Sequence, residues 1–217
     1  MVRTSLFLAG FAGALLLSVP SQSATLLSEN FNELTQALAA TSAGAFSAIN
    51  GTNVDILGGS IFSSLCAAPE SGNCIDLDGT GGNSQGVLST ISPINLMPGV
   101  TYNLSFDLIG SGRGNTTSTT VSFGPYSKTF SLPSGDVSGG VVNVPVSVSS
   151  ATAANLIFTS NTAGNAGSLL DNVLITSGSN SVVSAVPEPE TLGLILVAFA
   201  LLAGQRLRKK LGVSGRR

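Results

Sequence analysis

From residue 25 to residue 177 the chain is a succession of short apolar runs, each cut off by a cluster of Gly, Ser, Asn or Pro. Runs of that length are too brief for self-supporting helices and right for strands. The expected strands are Thr25–Phe31, Gly44–Ile49, Asn53–Leu57, Cys74–Leu77, Gly86–Ser92, Val100–Ile109, Thr119–Phe123, Tyr126–Leu132, Val141–Val148, Asn155–Thr159 and Leu169–Thr176. Three of them fix the architecture. In Val100–Ile109, Val100, Tyr102, Leu104, Phe106 and Leu108 alternate with Thr101, Asn103, Ser105 and Asp107, which gives a strand with one buried face. In Val141–Val148, Val142, Val144, Val146 and Val148 form a second such face. Pro145, which lacks an N–H, places that strand at an edge or bulge. Thr119–Phe123 and Tyr126–Leu132, joined by Gly124-Pro125, read as a hairpin. Many short strands with almost no helix predict an all-β, two-sheet sandwich. One short helix is expected, over Leu34–Ala40.

Charge excludes several functions. Between Thr25 and Val186 there are two cations, Arg113 and Lys128, against nine acids, a net −7. Such a surface repels phosphate backbones, so nucleic acid is not an expected partner. The chain has no His and no Trp. Ser-His-Asp and Cys-His triads and His-based zinc sites are therefore excluded, and carboxylates are what remains for catalysis.

Both ends read as targeting segments. Residues 1–23 have Arg3 at the start, an apolar stretch from Leu6 to Leu17 and small residues at Ser21 and Ser23, the pattern of a secretory signal peptide. Export permits disulfides. A linker over 178–185 follows the sandwich, and then comes Val186-Pro187-Glu188-Pro189, an apolar block from Leu192 to Ala203, and the cations Arg206, Arg208, Lys209 and Lys210. The prolines keep the tetrad extended. A helix over 191–207 is about 25 Å long, at or below the minimum for a transmembrane span. The basic cluster holds the C-terminal end in the cytoplasm. A short, weakly held tail behind an exposed motif reads as a temporary hold. The alternative is a plain single-span anchor.

Motif, helix and basic cluster together, over residues 186–210, resemble the PEP-CTERM sorting signal of Gram-negative bacteria. That resemblance implies recognition of Val186, Pro187, Glu188 and Pro189 by an exosortase. It also implies a transient stay in the inner membrane, cleavage near the motif, and delivery to the cell surface or exopolysaccharide matrix. The seven residues Leu211 to Arg217 extend beyond the family pattern. Leu27 to Phe31, Tyr102 to Leu108 and Leu169 to Ile175 resemble strands of the galactose-binding-like jelly roll, a fold common among carbohydrate-binding modules. That implies such a jelly roll over residues 25–177.

Cys66 and Cys74, the chain's two cysteines, flank a seven-residue stretch with Pro69, Gly72 and Asn73, and are expected to form a disulfide. Asp76-Leu77-Asp78-Gly79-Thr80-Gly81 begins like a calcium loop. Val87 stands where an EF-hand needs Glu, so a true EF-hand is rejected and a looser oxygen cage or a solvated acidic turn remains. Asp171 and Asn172 lie in an apolar alternation, so one of them is expected to face an apolar layer. In calcium-binding jelly rolls that the chain resembles, an acid on the last strand and one near the first share a structural Ca²⁺. Here that implicates Asp171 with Glu29 and Asn30; the alternative is a carboxylate capping backbone amides. The Gly-rich stretches Gly110–Asn115 and Gly79–Gly86 lack a phosphate-loop motif and read as flexible loops. Tyr126, at the hairpin tip, is the expected sugar-stacking residue.

These features give three readings. The first is an exported, non-enzymatic surface or matrix protein, structural or adhesive in biofilm, with extracellular polysaccharide as its partner. The second is a calcium-dependent carbohydrate-binding module. The third is a hydrolase using Asp76 and Asp78.

Overall fold

The structure is a computed structural model that describes residues 23–66, 72–81, 85–134 and 140–178. These belong to the first of two units, Met1–Asn180; the second, Ser181–Arg217, contains the expected sorting motif. The expected signal peptide before Ser23, and the linker and tail beyond Gly178, lie outside the described residues. Among the described residues no helix is long and apolar enough to cross a membrane.

The strands are β1 (Ala24–Glu29), β2 (Ala37–Ala40), β3 (Ser42–Ala43), β4 (Phe46–Ala48), β5 (Val54–Leu57), β6 (Cys74–Asp76), β7 (Val87–Thr90), β8 (Ile94–Leu96), β9 (Thr101–Ile109), β10 (Thr117–Phe123), β11 (Tyr126–Leu132), β12 (Gly140–Ser147), β13 (Thr152–Ala154), β14 (Leu156–Ser160) and β15 (Leu169–Ser177). All pairings are antiparallel. One sheet runs β12-β9-β15-β6-β5-β2, with β1 also on β15; the other runs β11-β10-β14-β7-β4-β3; β13 and β8 form a separate ribbon. The expected two-sheet jelly-roll sandwich is present.

Alternation builds the core. Tyr102, Leu104, Phe106 and Leu108 of β9 meet Val121 and Phe123 of β10 and Phe158 of β14 in one buried cluster. Phe106 packs edge-on against Phe158 at 5.3 Å and against Phe130 at 5.9 Å, which joins the two sheets through aromatic rings. Each buried Phe contributes about 1.5–3 kcal/mol. Pro145 lies opposite Asn103 on β12, an edge strand, as its missing donor requires.

One expectation is corrected. Leu34–Ala40 is not a helix, because its second half is strand β2, paired with β5. Ala39 takes a left-handed conformation (φ 54°), and its N–H donates to the Asp55 carboxylate at 2.7 Å. Seven residues cannot nucleate a helix against such tertiary partners. Of the Asp171-Asn172 pair, Asp171 is buried at 4% exposure and Asn172 is half-buried. Asn172 sits at φ 49° in a bulge, where the register shifts between Asp171↔Asp107 and Leu174↔Ser105. The extra residue resets the alternation, so Leu170, Val173 and Ile175 all reach the main core.

A second apolar cluster forms from Leu57, Cys66, Cys74, Ile109 and Leu169, with Ile61 and Leu65 packed on it. In β5, β6, β9 and β15 these residues alternate with neighbours that belong to the main core, so the cluster lies on the opposite face of the sheet. The Cys66–Cys74 disulfide pins the covering segment there.

Candidate functional site

Three places carry the polar chemistry. The first is a knot of buried carboxylates after β6. Asp76 and Asp78 are fully buried rather than part of a solvated turn. Asp76 Oδ1 accepts the N–H groups of Asp78 (3.0 Å) and Gly167 (2.8 Å), and Oδ2 pairs with the Arg113 guanidinium at 2.6 Å. Arg113 also donates to the Asn165 carbonyl. Burial pushes the Asp76 pKa up to about 6 despite these donors. Burial also raises Asp78, against the Ser160 hydroxyl, the Gly86 N–H and Arg113, and its Oδ2 has no hydrogen-bond partner among the described residues. Asp55, opposite Asp76 in the register, accepts the N–H groups of Ala39 and Thr80 and the Thr80 hydroxyl. The Gly110–Asn115 stretch, expected to be flexible, is tied in: the Ser111 hydroxyl bonds Asn115, and Asn115 donates to the Ala166 carbonyl. Asp76 thus clamps three chain segments together. Neither carboxylate opens onto solvent, where a glycosidic bond would have to lie for a pair to act on it.

The second place is a groove of about 420 Å³ lined by Glu29, Asn30, Asp107 and Asn172. It brings Glu29 and Asn30 beside the last strand, as expected, but Asp171 is not among its lining residues. Glu29 Oε1 and Oε2 accept the N–H groups of Phe31 and Ala45, both at 3.0 Å. Asp171 Oδ1 accepts the Asn172 N–H at 2.7 Å, and Asp107 Oδ2 accepts the Asn172 side-chain amide at 2.8 Å. The residues do not fit a calcium cage. Their oxygens receive backbone and amide donors, and no three acidic, Cys or His side chains among the described residues are placed to hold a metal. The amide-capping alternative describes Glu29.

The third place was not foreseen. A groove of about 670 Å³ lies between the Gly124-Pro125 turn and the segment from Ser147 to Asn155. Ser122, Ser149, Ser150, Thr152 and Asn155 line it with hydroxyls and an amide, and no lining residue is charged. Ser122 alternates with the buried Val121 and Phe123, so it belongs to the outer face of its sheet. On that face Ser118, Thr120 and Ser122 lie opposite Ser131, Thr129 and Ser127. Thr120 and Thr129 share a hydrogen bond at 2.8 Å. Lys128 alternates to the other side, with its ammonium 4.8 Å over the Phe130 ring.

Tyr126 begins β11 at the hairpin tip, as expected. Its half-buried ring packs against the core, and its hydroxyl is buried without a partner among the described residues, which raises its pKa. Among the described residues the aromatic open to solvent is Phe62, 58% exposed. The sequence held a signal for it. Phe62 stands among Gly58, Gly59, Ser60, Ser63 and Ser64, outside every alternating run that would bury it.

No protein-family model matches the chain, and no curated protein matches it. Its fold is similar to that of a cyclase from Fischerella sp. TAU, with a TM-score of 0.54 at 15% identity, covering 74% of this chain and 100% of that one. This likeness establishes the fold and nothing about activity. Weaker likenesses include the CBM22-1-GH10 modules of a Clostridium thermocellum endo-1,4-beta-D-xylanase complexed with xylohexaose. There the TM-score is 0.46 at 12% identity, covering 74% of this chain and 30% of that one, so this chain spans under a third of that protein. Another is the K3 cleaved adhesin domain of Lys-gingipain from Porphyromonas gingivalis w83, with a TM-score of 0.45 at 18% identity, covering 72% and 100%. At such scores neither bears on this chain's ligand.

Proposed function

We propose that this chain is an exported, non-enzymatic surface or matrix protein whose galactose-binding-like sandwich adheres to neutral polysaccharide. An exosortase, acting at Pro187-Glu188-Pro189 while the tail is held in the inner membrane, delivers it to the surface of a Gram-negative cell. The observation that carries the binding reading is the uncharged, hydroxyl-lined groove between Gly124-Pro125 and Asn155. A polyhydroxylated chain can exchange hydrogen bonds with such a lining without stripping water from a charge, which would be costly. The net −7 of the sandwich opposes acidic polymers. The buried state of Asp76 and Asp78 supports a binding role over a hydrolytic one.

Retention of the full chain on neutral and acidic polysaccharides tests this reading. The expected result is retention on a neutral polymer, reduced at least about tenfold by Ser150→Arg, since filling and charging the groove removes more than about 1.4 kcal/mol of binding. Equal retention of this variant, or preference for an acidic polymer, contradicts it.

A further inference from the structure

Phe62 combines features that a casual surface residue lacks. It is exposed, yet it holds a left-handed backbone (φ 49°, ψ 38°), a conformation that bulky side chains avoid and that Gly or Asn would adopt with less strain. Strain of this kind persists only where the surroundings enforce it, and it gathers at functional sites. The surroundings here are specific. Gly58 and Ile61 exchange two backbone hydrogen bonds at 2.8 and 2.7 Å just before Phe62, and the Leu65 N–H donates to the Phe62 carbonyl at 2.9 Å just after it. Leu65 packs on the second apolar cluster, and Cys66 is bonded to Cys74 on β6. The Arg113 guanidinium lies 5.7 Å from the ring centroid and is itself fixed by Asp76 and the Asn165 carbonyl. The ring is therefore held in place before any ligand arrives, and less ordering entropy is lost on binding.

We propose that Phe62, backed by Arg113, is a stacking platform for one sugar ring of a neutral polysaccharide, a second contact distinct from the hydroxyl-lined groove. The C–H face of a pyranose is apolar and flat, and it packs against the face of an aromatic ring while its hydroxyls stay in water. Arg113 is neutralised by Asp76, so the platform does not select an anion. The groove adjoins the Phe123 end of β10, and Arg113 precedes the Thr117 end, so the two contacts lie toward opposite ends of that strand.

This proposal rests on the polysaccharide reading, and the test separates the two. The full chain, Phe62→Gly, Phe62→Tyr and Ser150→Arg are compared for binding of cellohexaose and xylohexaose by calorimetry, with Tm measured in parallel. Phe62→Gly is expected to weaken binding about twofold to tenfold, the range of one aromatic contact, and to raise Tm, because glycine relieves the left-handed strain. Phe62→Tyr should bind as the parent does. Unchanged binding in Phe62→Gly alongside loss in Ser150→Arg overturns the platform and leaves the groove reading standing. No binding of either hexasaccharide by the parent overturns both. If Phe62→Gly abolishes self-association on size exclusion while saccharide binding is intact, the ring serves a protein contact and the platform is overturned.

Discussion

Replacing Arg113 with Met should destabilise the protein in a strongly pH-dependent way. In the parent the Asp76 pKa is raised from 3.8 to about 6, so the folded state binds that proton more tightly than the unfolded chain does. The group's contribution to stability is fully present below about pH 4. It falls away as pH rises to about 6 and is constant above that, a loss of about 3 kcal/mol at about 1.4 kcal/mol per unit. Met removes the ion pair at 2.6 Å and leaves a carboxylate of zero exposure without its cation. Unpaired buried carboxylates reach pKa values of about 8 to 9. The falling limb then extends about two units further, so the variant loses about 2.7 kcal/mol more near pH 8 than near pH 5. At the lower pH Asp76 is protonated in both proteins, and the deficit is about 1 kcal/mol from the lost Asn165 hydrogen bond and the Phe62 contact. Urea unfolding of parent and variant at both pH values gives the comparison. A stability difference that is the same at the two pH values would falsify the placement of a buried, Arg-dependent charge at Asp76.

Other consequences follow from the same geometry. Changing Cys66 and Cys74 to Ser should reduce stability by about 2.5 kcal/mol, the loop-closure value for a nine-residue ring, and lower Tm by roughly 5–10 °C. A scanning calorimeter that finds no shift rules out a constraining bridge. Gly44→Ala should cost about 2–3 kcal/mol in chemical denaturation, because Gly44 has φ 59° and a Cβ there would lie 2.0 Å from Glu29 Oε2, displacing the carboxylate that caps Phe31 and Ala45. A neutral result would mean that Glu29 does not hold that turn. Millimolar calcium should leave Tm unchanged, since Glu29, Asp107 and Asp171 already receive hydrogen bonds. A rise of several degrees that EDTA reverses would restore the calcium reading.

What could be read from the sequence was local. Alternation in Val100–Ile109 placed Tyr102, Leu104, Phe106 and Leu108 in the core, and the missing N–H of Pro145 placed β12 at an edge. Gly124-Pro125 marked the hairpin, and Cys66 and Cys74 their bridge. What could not be read depends on partners distant in sequence. The strand β2 exists because β5 and the Asp55 carboxylate capture a stretch whose own preference is helical. The bulge at Asn172 leaves no mark in an alternation count. Arg113 finds Asp76 across 37 positions, a juxtaposition made by the sheet order and not by spacing. The groove joins the hairpin turn to the segment after β12, and each contributes only uncharged residues that carry no motif.

Export and delivery are tested most directly by the intact mass of the protein recovered from the surface of its source cell. The predicted mass lacks the first 23 or 24 residues and everything beyond the Pro187-Glu188-Pro189 region, and it is two hydrogens short for the Cys66–Cys74 bridge. A mass that retains the apolar block from Leu192 to Ala203, found in the membrane fraction and absent from the surface, contradicts it.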